Sequence, residues 1–233
     1  MKVAILYSGG KDSTYAIDYA LSKKWDIEYL LSVKPTRSDC YLFHYATVEH
    51  TKELAGILGI KHIYASCDVA NAKLEAEIVK NIVKENPVDA VVLGGTGLQM
   101  TQLKSIQEAL MPSGVEVFAS HAGQDHDQVL KEMIAKGYRF MISQIASDGL
   151  NKDWLGKVIT SEVLEILEKN SKKFGFHVGG EGGYFDTLVL DGPIFDKKLV
   201  VEEIQKNMES TNVGHVVIHR LKVADKVKAE NKE

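Results

Sequence analysis

Short apolar runs alternate with helical periodicity through the first half of the chain. The first run, Lys2–Tyr7, has strand length and opens into a helical pattern that reaches about Lys24. The next, Ile27–Val33, is almost continuously apolar, as a strand covered on both faces should be, and Pro35 closes it. A helix is expected from about Thr47 to Leu58, with Leu54, Ile57 and Leu58 on one face and Gly59 as its stop. Lys61–Ala65 reads as a strand. The helix after it, Ala72–Glu85, starts behind the cap residue Asn71 and stops at Asn86-Pro87. Ala90–Leu93 and Val115–Phe118 are further strands, separated by a helix from about Gln99 to Leu110. This alternation predicts an α/β fold, a parallel sheet with helices on both faces in the Rossmann-like manner of nucleotide-binding domains.

Beyond about His121 the rhythm changes. A helix is expected over Asp127–Lys136, a strand over Arg139–Ile145 and a helix near Ser161–Phe174. Three strand-like runs follow, Tyr184–Leu190, Lys198–Ile204 and Gly214–Val223. Simple βαβ succession has ended, so a smaller C-terminal α+β domain is expected that relies on the first for part of its burial. The expected division is 1–122, 123–225 and a frayed charged tail at 226–233.

Composition narrows the class. The 233 residues carry a net charge of −4, which gives no overall attraction to nucleic acid or to an anionic membrane. The cysteines, Cys40 and Cys67, form neither a C-x-x-C pair nor a metal-ligand spacing, so a reduced, cytoplasmic protein is expected. Neither a signal peptide nor an apolar stretch near membrane-spanning length is visible.

The chemistry gathers in two glycine-rich stretches. Lys2–Tyr7 empties into Ser8-Gly9-Gly10-Lys11-Asp12-Ser13, which opens the first helix. A strand, a glycine turn and a helix start together offer backbone N–H groups and the positive end of a helix dipole, a cradle for phosphate. The Walker A spacing is absent. Lys11 would neutralise phosphate charge, whereas Asp12 would hold Mg²⁺ through water or cap the helix. In a parallel sheet ligands bind beyond the carboxyl ends of the strands. Val33, Gly94 and Thr96 follow strands on that same edge and are expected near adenine, ribose or the α-phosphate.

The second stretch runs from His177 through Gly179-Gly180-Glu181-Gly182-Gly183-Tyr184-Phe185-Asp186-Thr187 to Asp191. Glycines this dense let a backbone fold around a ligand. Glu181 there can bind a cation or shuttle a proton. His177 and Asp191 divide between substrate contact and local turn bonding. A third group, His121, Asp125, His126 and Asp127, has metal-ligating residue types. Asp125 with Gln128 three residues on reads instead as a helix cap.

Ser8–Ser13 resembles the PP-loop of the N-type ATP pyrophosphatases, which split ATP to AMP and pyrophosphate. Together, the two stretches resemble the diphthine–ammonia ligase family, whose C-terminal domain carries a Gly-Glu-Gly-Gly-Glu-aromatic-Glu-Thr motif and an Asp-Gly-Pro turn. Tyr41-Leu-Phe-His44 and Trp154-Leu155-Gly156 resemble further family segments, so the likeness covers nearly the whole chain.

The resemblance implies a ligase that uses ATP and Mg²⁺ to adenylate the carboxylate of diphthine on elongation factor 2, with ammonia displacing AMP. It implies Lys11, Asp12, Glu181 and Asp186 as catalytic residues and Asp12 as the Mg²⁺ contact. ATP would be bound by Ser8, Gly9, Gly10, Lys11, Asp12, Ser13, Val33, His44, Gly94 and Thr96, with His44 at the adenine. The acceptor would be bound by Gly180, Glu181, Gly182, Gly183 and Thr187. A homodimer is compatible with all of this.

The chain departs from the family at Tyr184 and Asp186, where the motif has glutamates, and across Leu98–Lys104 and Phe118–Gly123. These departures read as a divergent paralogue with ATP use intact and the acceptor side changed. A pyrophosphatase acting on another acceptor such as tRNA, and an ATP-binding sensor without catalysis, stand as alternatives.

Overall fold

The computed structural model describes residues 1–37, 39, 40, 42, 43, 46–95 and 100–226. The first sheet is parallel and built from β1 (Lys2–Leu6), β2 (Asp26–Pro35), β3 (His62–Cys67), β4 (Ala90–Leu93) and β5 (Glu116–Ala119). Their spatial order is β3-β2-β1-β4-β5. The chain winds one way from β1 to β3 and the other way from β4 to β5, so the order reverses between β1 and β4. In such sheets the crevice beyond that reversal is where ligands bind.

Strand β1 shows why the apolar runs are continuous. Val3, Ile5 and Tyr7 point to one face, where they meet Ala16 and Ile17 of α1 (Lys11–Ser22) and Leu54 of α2 (Thr51–Leu58). Ala4 and Leu6 point to the other, against Ala76 and Val79 of α3 (Ala72–Glu85) and Ile106 and Leu110 of α4 (Met100–Leu110). Neither face sees water, so alternation with polar residues has no physical basis. Each such aliphatic side chain, fully buried, stabilises the fold by about 1.5–3 kcal/mol.

The second sheet is antiparallel, in the order β7-β6-β9-β8. It comprises β6 (Arg139–Ala146), β7 (Phe185–Asp191), β8 (Lys197–Met208) and β9 (Val213–Asp225), with α5 (His126–Ala135) and α6 (Ser161–Phe174) in the same half of the chain. Phe140, Ile142 and Leu188 of this sheet belong to the same core cluster as Val3 and Ile5 of β1. The two sheets thus share one core, on the α1 and α2 side of the parallel layer.

Several local expectations change. Strands β8 and β9 run past the expected Lys198–Ile204 and Gly214–Val223, because Gln205–Met208, which lack an apolar pattern, still pair with Gly214–Val217 in the antiparallel ladder. Within the expected spans, ion pairs of Arg220 with Glu202 and Glu203, and of Lys222 with Glu202, lace the two strands. The helix expected from Thr47 begins as a 3₁₀ turn over Val48–His50, because Thr47 itself is left-handed (φ 63°). Asp12 does not cap α1: the cap position is Gly10, with no side-chain bond, and Asp12 lies in the first turn. Asp125 does cap α5, accepting from the N–H groups of Asp127 and Gln128. Lys226, expected in the frayed tail, is anchored by an ion pair to Asp191 at 2.8 Å; residues 227–233 lie outside the described residues. Among the described residues no helix is long and apolar enough to cross a membrane.

Candidate active site

The cleft lies where β1 and β4 part. It encloses about 860 Å³, open solvent included, a size that suits a nucleotide. One wall is the PP-loop: Ser8, Gly10, Lys11, Asp12 and Ser13. A second is the end of the parallel sheet, with Val33, Leu93 and Gly94. The third comes from the far end of the chain and holds Gly180, Glu181, Gly183, Asp186 and Thr187. Twelve residues named from sequence therefore face one space. Gly9 and Gly182 do not line it, and His44 and Thr96 lie outside the described residues.

The PP-loop is held from both sides. Within it, the Ser8 N–H donates to Ser13 Oγ at 3.2 Å, and the two serine hydroxyls lie 3.2 Å apart. From β7, the Val189 N–H donates to the Gly9 carbonyl at 2.8 Å. Thr187 Oγ1 accepts the Lys11 N–H at 3.1 Å, across 176 residues of sequence. Thr187, expected among the acceptor contacts, lines the cleft and also braces the Ser8–Ser13 loop, taking up one donor of the helix start. Gly94 packs just as closely: a Cβ there would stand 2.4 Å from the Asp12 carbonyl carbon and 2.5 Å from the Ser13 nitrogen. The side chain is absent at Gly94 because two backbones touch.

Charge in the cleft centres on Lys11 and Asp12. The Lys11 ammonium is buried, 2.7 Å from Asp12 Oδ2 and 5.6 Å from the centre of the Phe185 ring. The other oxygen, Asp12 Oδ1, accepts from His126 Nε2 at 2.9 Å and lies 3.8 Å from His121 Nδ1. Desolvation would raise the Asp12 carboxyl, but Lys11, His126 and His121 together hold it well below the usual carboxylate range. His126 also reaches the second glycine stretch, its Nδ1 standing 3.5 Å from Glu181 Oε1. A continuous file of groups, Lys11–Asp12–His126–Glu181, thus links the two stretches. Gly179 makes room for it: a Cβ there would fall 2.3 Å from His126 Nδ1.

Other candidates resolve simply. His177 Nδ1 accepts the Gly179 N–H at 3.1 Å, and Asp191 Oδ1 accepts the Gly192 N–H at 2.8 Å, so both take the turn-bonding option. Tyr184 packs 6.1 Å, ring to ring, from Phe176 and does not line the cleft. Cys40 and Cys67 are free thiols, as small packed side chains should be, and burial pushes Cys40 up to about 12.

Profiles described as the diphthamide synthase N-terminal and C-terminal domains match residues 1–116 and 125–224 respectively. The chain belongs to the diphthamide synthase family. Among its relatives are the diphthine–ammonia ligases of Mus musculus and Homo sapiens, 28% and 26% identical over 97% of this chain and 94% of theirs. The Danio rerio diphthine–ammonia ligase is 26% identical over 97% of this chain and 98% of its own.

In this diphthamide synthase family member the sequence hid two residues that shape the cleft. Gln102 lines it and bonds the Leu42 carbonyl through its side-chain nitrogen. Glu75, fully buried on α3, accepts the Leu42 N–H at 2.7 Å and so fixes the segment that carries Phe43 against the cleft. No local pattern marks either one. His126 did carry a signal, since it was among the metal-type residues after β5. It was set aside because Asp125 reads as a cap, yet the cap and the contact to Asp12 coexist: the capped helix start is what delivers His126 to Asp12.

Magnesium takes oxygen ligands, keeps several waters and is held through one or two carboxylates together with substrate phosphates. Asp12, Glu181 and Asp186 all line the cleft, so carboxylate oxygens suited to that ion stand beside the Ser8–Ser13 loop.

Proposed function

We propose that the protein is a diphthine–ammonia ligase that consumes ATP. A carboxylate oxygen of diphthine on elongation factor 2 attacks the α-phosphorus, and the bond to the β-phosphate breaks to release pyrophosphate. The resulting acyl-adenylate is attacked at its carbonyl carbon by ammonia. AMP leaves, the nitrogen loses a proton, and an amide remains. A cytoplasmic translation factor as acceptor agrees with a cytoplasmic enzyme.

The observation that carries this reading is the shared cleft. A phosphate cradle alone would suit many ATP-using proteins. Here the Glu181–Thr187 wall closes on it from another sheet, so a second substrate can meet the nucleotide at its phosphates. In the proposed step Lys11 neutralises charge growing on phosphate oxygens. Ser8 and Ser13 supply hydroxyl donors by exchanging their mutual contact for phosphate. Preorganised donors of this kind are worth roughly 10²–10³ each in rate. Glu181, buried among glycines and beside His126, is placed to take the proton from the attacking nitrogen.

The test is AMP and pyrophosphate release from ATP, measured with elongation factor 2 carrying diphthine and with ammonium. One AMP per amide formed is the expected result. Turnover that appears only with tRNA would replace the acceptor, and ATP binding without turnover under any acceptor would defeat the ligase reading.

A further inference from the structure

Asp12, His121 and His126 bring one carboxylate oxygen and two imidazole nitrogens within 4.8 Å of one another. The three come from different segments: the start of α1, the turn after β5 and the start of α5. Two ligands bound to one ion at about 2.0–2.2 Å stand about 3.0–3.5 Å apart. The measured contacts from Asp12 Oδ1, 2.9 Å to His126 and 3.8 Å to His121, bracket that spacing.

His121 provides an independent observation. Its side chain is fully buried, yet neither ring nitrogen has a hydrogen-bond partner. Leaving such a group unpaired is costly, and an ion or water is the usual explanation. The ring packs edge-to-face on Tyr15 at 4.3 Å and lies 5.4 Å from His126, contacts that give its nitrogens no hydrogen-bonding partner.

We propose that Asp12, His121 and His126 form a binding site for a divalent transition-metal ion of the zinc or cobalt class. Imidazole donors select that class over magnesium. His126 has the outer partner such a site requires. With Nε2 on the ion, its remaining proton sits on Nδ1, which faces Glu181 Oε1 at 3.5 Å in a carboxylate–histidine–metal arrangement. Opposing charge is present, since Lys11 lies beside Asp12 and α5 points its positive end at the site. Lys11 occupies Oδ2, however, and leaves Oδ1 to the imidazoles, while Asp12 and Glu181 together supply two negative charges. Three protein ligands leave coordination positions open. Asp12 also lines the cleft, so an oxyanion there could complete the ion's shell. That last consequence rests on the ligase reading; the ion site does not.

The experiment uses full-length protein without a histidine tag, stripped by chelator and dialysed against Zn²⁺ or Co²⁺. About one ion per chain is expected. His121→Gln and His126→Gln, with folding checked by circular dichroism, should each weaken binding at least 100-fold, and Glu181→Gln about 10–100-fold as an outer partner. Wild-type protein loaded with Co²⁺ should also show two strongly shifted, exchangeable imidazole proton resonances, a readout that needs no variant. Absence of stoichiometric binding overturns the site. So does binding that survives both histidine substitutions, or a Co²⁺ spectrum without imidazole resonances. None of these readouts measures ATP turnover, so failure of the ion site and failure of the ligase reading are separate results.

Discussion

The two glycine-rich stretches face each other across one cleft, yet they are built on opposite plans. The PP-loop is held by its neighbours: Thr187 and Val189 bond to it from β7, and the β4 backbone packs against it at Gly94. The Glu181 loop is held mostly by itself, with the Gly180 N–H bonded to the His177 carbonyl and the Gly183 N–H to the Gly180 carbonyl. One stretch is a rigid seat. The other is a flap of local turns that carries one buried acid, Glu181, and packs Gly179 against His126. The two differ most sharply at Gly94, whose backbone abuts the first stretch, and at Gly183, a left-handed residue of the second with nothing within 4 Å of a Cβ.

That contrast sets the largest prediction. A Gly94→Ala methyl would lie 2.4–2.7 Å from Asp12 and Ser13 backbone atoms, which cannot move without opening the cradle. The expected cost is about 4 kcal/mol or more, with ATP binding lost. Gly183→Ala meets nothing within 4 Å, and its φ of 85° costs only about 1–2 kcal/mol. Thermal unfolding and calorimetric ATP titration of the two variants measure both. Equal destabilisation would mean that the loops are not built differently.

Next in size is Glu181→Gln. It keeps the volume and removes the charge, so amidation should fall about 10²–10³-fold while ATP affinity stays within threefold. Single-turnover amide formation beside equilibrium ATP binding separates these effects. Amidation at the wild-type rate would leave the second stretch without a chemical role.

Thr187→Val tests the brace between them. The Lys11 N–H would lose its partner in a buried place, costing about 1–3 kcal/mol, and Thr187→Ser should restore most of it. Chemical denaturation of the pair measures the difference. A neutral Thr187→Val change would show that the PP-loop seats itself.

Legibility follows the same division. The β-α succession, the Asn71 and Asp125 caps and the Gly59 stop were readable because each depends on residues a few positions apart. So was the Ser8–Ser13 stretch as a glycine turn between a strand and a helix. Thr187 as brace was not readable, because its partner lies 176 residues away. His126 was visible and misjudged: a cap and a contact to Asp12 at 2.9 Å use different atoms of adjacent residues, so one reading never excluded the other. Glu75 carried no local signal, because only the fold brings the Leu42 N–H against it.

The smallest effect should come from Tyr184, where the family motif carries a glutamate. Its ring packs toward Phe176, and it does not line the cleft that Glu181 and Asp186 share. A phenol in that position cannot substitute for a carboxylate facing the nucleotide. Tyr184→Phe keeps the ring and removes only the hydroxyl, so stability should change by less than about 0.5 kcal/mol and amidation by less than twofold. Steady-state amidation with thermal unfolding measures both. A tenfold loss of amidation with stability unchanged would show that the hydroxyl reaches the reaction. The flap would then move further during turnover than its packing against Phe176 implies, and the contrast with the rigid seat would be one of dynamics as well as of construction.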